Sequence, residues 1–347
     1  MNDYIEESNK NIINHQSPEP DTKQKRESKQ TKDTKQKKES KQTKEPKQKK
    51  KKPVLTKAQK KRRRITNLKL SAFLMPSLIG VCIFYLLPFC VIIFYSFVDN
   101  PVSKNFVVLR NYFGIMENEA FRLAAFNTAR FSLLSVPLAV VLSLAIAILL
   151  DKKIPMASKF RSAYLSPMMV PVASVVLVFQ VLFDYNGVVN LALSWFGGGK
   201  IDWLKSEWAP VVVLFLFLWK NLGYNMILFL AALGTIPREA LEVALLDTTS
   251  NLKIFFMIKI RYLSPTILFV AIMSLINSFK VFREVYLLSG SYPYETLYTL
   301  QHYMNNMFMQ LDYQKMSAAA VLMAIVMVVV IGGLFVAENR FGRDMEE

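Results

Sequence analysis

Six apolar stretches, at about residues 71–97, 125–150, 162–184, 208–233, 264–283 and 316–337, leave this chain few possible folds. Each approaches the roughly 20 apolar residues a helix needs to cross about 30 Å of hydrocarbon, where every backbone group must be satisfied within its own segment. The predicted fold class is all-α: a polytopic membrane protein with six transmembrane helices. A 52% hydrophobic chain of mean hydropathy +0.26 agrees, because its first sixty-odd residues hold few apolar side chains and the rest must be correspondingly richer.

Charge is as unevenly spread as hydrophobicity. Residues 1–70 hold 23 Lys/Arg against 9 Asp/Glu, which is +14 of the chain's +17. Residues 1–68 are Lys/Gln/Ser/Thr-rich and repeat a twelve-residue unit, Glu27–Lys38 returning as Glu39–Lys50 with only positions 33 and 34 changed. So little apolar surface cannot offset chain entropy, which predicts a disordered tail; its long positive run is unlike the short charged region of a signal peptide. Clustered lysines beside a first span suit anionic lipid head groups. The tail has no interleaved aromatics with which to read bases, so no specific nucleic-acid partner is expected. A solvated tail that only fixes orientation is the plainer reading.

The basic residues between spans set the orientation. Lys57 to Arg64 precede the first span, Lys152, Lys153, Lys159 and Arg161 follow the second, and Arg238, Lys253, Lys259 and Arg261 follow the fourth. By the positive-inside rule these segments are cytoplasmic, and six crossings return the C-terminus, residues 341–347, to the same side. The loop after the fourth span is thus predicted to be cytoplasmic. In it Pro237 begins a short helix, Glu239 and Glu242 sit in its first turns where the dipole favours carboxylates, and Ala240, Val243, Ala244 and Asp247 share a small-residue face. That shape suits docking into a groove.

This loop resembles the EAA loop, here 236–265, of the membrane subunits of binding-protein-dependent ABC importers, especially the oligosaccharide type typified by the maltose transporter. Ile236, Pro237, Glu242, Ala244, Asp247, Phe256, Ile258 and Pro265 match its pattern, while Thr248 and Arg261 stand where the family has glycine and proline. Other fragments follow in order: Phe106 to Tyr112 against F-x-G-L-x-N-Y with Val108 for glycine, Asn127-Thr128, Phe160-Arg161 before Leu165-Ser166-Pro167, Gly187 with Asn190, and Phe279 to Phe282 ahead of Leu287 to Gly290. The resemblance implies that residues 69–340 are a six-helix transmembrane domain of a bacterial plasma-membrane importer. It implies as partners a second permease subunit, an ABC ATPase dimer gripping Glu239, Glu242, Ala244, Asp247 and Ser250, and an external solute-binding protein.

No chemistry of the chain's own is expected. There is no G-x-x-x-x-G-K-S/T phosphate loop, and His15 and His302 form no cluster of metal spacing, so ATP and Mg belong to the partner ATPase. Polar groups inside spans are the remaining clue, because unsatisfied ones are costly in hydrocarbon. Lys220, Asn221 and Tyr224 in the fourth span, with Ser274, Asn277 and Ser278 in the fifth, offer aromatic and hydrogen-bonding groups suited to a sugar, and the resemblance maps all but Asn277 onto the maltose-type pathway. Bonds between helices are the alternative use of such groups. Lys220 needs an anionic or carbonyl partner, with the substrate, Asp184 and Glu284 as candidates. Pro76, Pro88, Pro137, Pro167 and Pro171 are expected to kink their spans, and Gln301-His302-Tyr303 to lie in a solvated outer loop. The rival functions are an ion-coupled secondary transporter, disfavoured because Asp184 and Glu284 are placed near outer span ends, and a membrane-anchored scaffold with a polyanion-binding tail.

Overall fold

The computed structural model describes residues 71–100, 102–151, 157–248 and 250–343. The predicted disordered tail and the last four residues lie outside the described residues. The elements in order are α1 (Ser71–Ser96), α2 (Arg110–Glu117), α3 (Glu119–Asp151), α4 (Ala157–Met169), α5 (Val172–Leu182), α6 (Val188–Trp195), α7 (Ala209–Leu233), α8 (Arg238–Asp247), α9 (Ile260–Phe279), α10 (Phe282–Ser289), α11 (Leu300–Met309) and α12 (Tyr313–Arg343). Among the described residues there is no β-strand, only one isolated bridge between Val98 and Phe106. The all-α membrane class holds: five helices are long and apolar enough to cross a bilayer, and α4 with α5 makes a sixth crossing.

The kink expected at Pro171 in that third crossing is a sharp one, with α4 and α5 meeting at 98°. Pro171 supplies the reason. It has no N–H to continue α4, it restricts Val170 before it, and its own ψ of 135° turns the chain before α5 starts. Pro137 and Pro167, by contrast, lie inside α3 and α4 without breaking them. Ahead of Pro88 the first span widens into a π-turn over Cys82–Leu86, with Leu87 N–H donating to the Cys82 carbonyl.

The centre of the bundle is α3 against α7, with α9 and α4 laid on them. Two apolar clusters fill it. One, around Val176, Phe179, Val212, Leu216, Phe217 and Val285, joins α5, α7 and α10. The other, around Ala147, Met226, Phe229, Leu263 and Val270, joins α3, α7 and α9 at the end that carries α8. The α4–α7 crossing is set by Gly223, where an added Cβ would fall 1.7 Å from the Tyr164 carbonyl oxygen; only a residue without one lets the two backbones touch. None of the apolar window of α1 and 6% of that of α12 is buried within the chain.

Asparagines fasten the loops at the end opposite α8. Asn111 donates to the carbonyls of Ser96 and Val98, and Tyr112 bonds Ser96, so the N-Y pair clamps the end of α1. Val108, which replaces the family's glycine, takes φ +50°, a left-handed conformation that a β-branched residue adopts only under strain. Asn127 donates to the carbonyls of Glu295 and Tyr298, and Thr128 accepts from Leu300 N–H, so the N-T pair holds the segment leading into α11. Asn190 saturates its amide on Tyr185, Ile201 and Trp203.

Candidate translocation site

Helix α9 stops at Phe279, and the chain turns at Lys280 and Val281 before resuming as α10. The break sits beside the middle of α7, because Asn277 donates to Asn221 Oδ1 at 2.8 Å and Lys220 donates to Glu284 Oε1. Around it lies a cavity of about 440 Å³ walled by Phe217, Lys220, Asn221, Asn277, Lys280, Arg283, Glu284 and Gln301, among others. Phe217 offers an apolar face, while the amides, cations and carboxylate offer hydrogen bonds. That combination suits a polar ligand with C–H surfaces.

The six pathway residues expected from sequence therefore divide. Lys220, Asn221 and Asn277 wall the cavity. Ser274 and Ser278 do not: both are buried, Ser274 accepting from Asn225 Nδ2 at 3.0 Å and Ser278 bonding Ser132 Oγ at 2.8 Å. They serve the alternative use, tying α9 to α7 and α3, because a hydroxyl facing another helix is satisfied there and has no need of a pore. Tyr224 is half-buried and off the cavity.

The partner of Lys220 is Glu284, and this moves Glu284 from the expected outer end of a span to the middle of the bundle. The fold, not the spacing, decides this, since α10 runs on from α9 past the break at Lys280 and packs on α5, which brings Glu284 to Lys220. Glu284 is 6% exposed, and its second oxygen, Oε2, is buried without a hydrogen-bond partner among the described residues. Lys280, another polar residue of the fifth span, also walls the cavity, as does Arg283, while Arg130, an arginine inside the second span, lines a smaller cavity of about 130 Å³ with Glu207 and Thr296. A cation inside an apolar stretch was the signal available for Arg130.

Gln301-His302-Tyr303 is likewise not a solvated loop. It lies in α11, where His302 and Tyr303 are fully buried. His302 Nδ1 is 2.9 Å from Thr299 Oγ1 in a capping box, and burial pulls the imidazole down to about 4. Burial also pushes the Tyr303 hydroxyl up to about 12. Only Gln301 of the three reaches the cavity.

At the far end of α7, Pro237 caps α8, which has Glu239 in its first turn. Glu239, Glu242, Val243, Leu245 and Leu246 are exposed, Leu246 at 86%. Ala244 departs from the expected docking face: it is buried, because the same helix must also lean on the bundle through its small residues, with Leu241 packed against the Phe229 cluster. Thr248 ends α8 in extended backbone, φ −152°, so the family's glycine is not needed for a left-handed turn here. Ser250 is exposed beyond it.

The family model described as "Binding-protein-dependent transport system inner membrane component" matches residues 133–341, which contain α8, the cavity and both helices between them. The chain belongs to this family. It is a permease subunit, a transport component, with ATP hydrolysis belonging to separate subunits. It is 28% identical to the trehalose/maltose transport system permease protein MalF of Thermococcus litoralis, over 78% of this chain and 93% of that one. It is 30% identical to the arabinooligosaccharides transport system permease protein AraP of Halalkalibacterium halodurans, over 58% of this chain and 67% of that one. A solved bacterial ABC transporter involved in the import of the acidic polysaccharide alginate shares the permease fold, with a TM-score of 0.69 and 22% identity over 80% of this chain and 99% of that one.

Proposed function

We propose that this permease subunit forms one wall of a carbohydrate import pathway and is driven from α8 by an ATPase that binds ATP and Mg. The observation that carries the reading is continuity: α7 and α9 both wall the cavity, and α8 lies on the chain segment that joins them. A force on α8 reaches the cavity through two rigid helices, as a lever requires. Exposed Glu239, Glu242, Val243 and Leu246 form the docking face on the ATPase, with Ser250 at its margin. Curated relatives named for trehalose, maltose and arabinooligosaccharides support the substrate class.

The rest of the assembly follows from the same reading. A second permease closes the pathway, and a solute-binding protein delivers the sugar to the side opposite α8. Membrane lipid covers the apolar faces of α1 and α12, and both termini are cytoplasmic. Glu242→Lys tests the coupling. It should leave membrane insertion intact, remove the ATPase from the co-purified complex and stop uptake; unchanged uptake would overturn the reading.

A further inference from the structure

The cavity holds more positive charge than its own carboxylate can neutralise. Glu284 Oε1 accepts from Lys220 and lies 3.8 Å from Arg283 Nη2, so one buried carboxylate is shared by two cations. Lys280 has no anion within 4.0 Å among the described residues, and both Lys280 and Arg283 are exposed, the guanidinium side chain at 65%. Glu284 is turned inward at 6% exposure, so a molecule entering the cavity meets the cations before the carboxylate. Unpaired cations at mid-bundle are costly in a membrane protein unless water, a partner or a ligand answers them. Arginine beside lysine, with the amide of Gln301 nearby, is a set that pairs with a carboxylate while bonding hydroxyls.

We infer that the substrate is an acidic carbohydrate, whose carboxylate pairs with Lys280 and Arg283 while Gln301 bonds its hydroxyls and Phe217 lies against its ring. This rests on the carbohydrate reading above and adds the charge. Lys220, already held by Glu284, keeps the turn in place and is not the selecting cation.

The test uses the full-length chain co-purified with its partner subunits in phosphatidylcholine nanodiscs, titrated with trigalacturonate and with maltotriose while tryptophan emission is followed, since Trp219 adjoins Lys220. Trigalacturonate should bind more tightly than maltotriose. The variant Lys280→Gln/Arg283→Gln should weaken trigalacturonate roughly tenfold and maltotriose by less than about twofold, the difference expected from losing charged hydrogen bonds. The basic tail is common to both proteins, so its attraction cancels in this comparison. Five results overturn the inference. If maltotriose binds as well as trigalacturonate or better, the charge assignment fails and the carbohydrate reading stands. An unchanged trigalacturonate affinity in the variant places the anion elsewhere. If the variant loses the second permease on purification, the cations are subunit contacts. If sodium sulfate shifts the emission through these two residues and neither sugar does, or if no probe shifts it, the carbohydrate reading fails as well.

Discussion

The seam between α3, α7 and α9 and the outer pair α1 and α12 are built from nearly the same apolar residue types, yet one is the interior and the other the exterior. The seam is marked by polar pairs, Asn221 with Asn277, Asn225 with Ser274 and Ser132 with Ser278, each closed between two helices. The windows of α1 and α12 are more apolar than that of α7 and about as apolar as that of α3, yet almost none of either is buried within the chain. In water the more apolar helix goes inside. In a bilayer the lipid is as apolar as leucine, so the helices that must satisfy polar groups or touch closely take the centre.

The largest effect that separates the two regions should come from glycine. Gly223→Ala places a Cβ against the Tyr164 carbonyl and should cost about 3 kcal/mol or more, with loss of monodisperse protein after mild heating; Gly332→Ala in α12 meets nothing within 4 Å and should be neutral. Equal behaviour of the two would break the comparison. Buried polarity in α11 should show next, under acid. His302 titrates near 6.5 when unfolded and at about 4 when folded, so the unfolded chain binds the extra proton in between. Stability should be flat above pH 6.5, fall between there and about pH 4 by up to roughly 3 kcal/mol, and level off below. Melting curves across that range should lose this dependence in His302→Gln.

A gain is expected at the loop joining α1 to α2. Val108→Gly relieves the left-handed strain and should stabilise by about 1 kcal/mol after the entropy of a new glycine is subtracted, read as a higher melting temperature. The smallest effect sharpens the seam itself. A double-mutant cycle of Ser132→Ala and Ser278→Ala should give a coupling near 0.6 kcal/mol, the usual size for hydrogen bonds between membrane helices. A coupling of zero would mean that packing alone centres these helices.

The legible part of the site was local. Lys220, Asn221 and Asn277 could be named because a charged or amide group in an apolar run stands out, and the helix at Arg238–Asp247 because its proline and carboxylates mark a helix start. Arg283 was not legible as a cavity residue and Glu284 only as one of three candidate partners for Lys220, since their position depends on a break at Lys280 that carries no proline or glycine. Ser274 and Ser278 show the converse failure. Helical spacing placed them on a polar face, but which neighbour that face meets is a property of the packed bundle.

By itself the sequence determined where the apolar crossings lie along the chain, the family and the place of the coupling loop, because bilayer thickness and helix chemistry act on contiguous residues. Tertiary structure alone decided the joining of Lys220 to Glu284 across 64 positions and which polar groups face the cavity. Those outcomes depend on contacts between distant segments, and a chain of side chains read in order contains no distance between them.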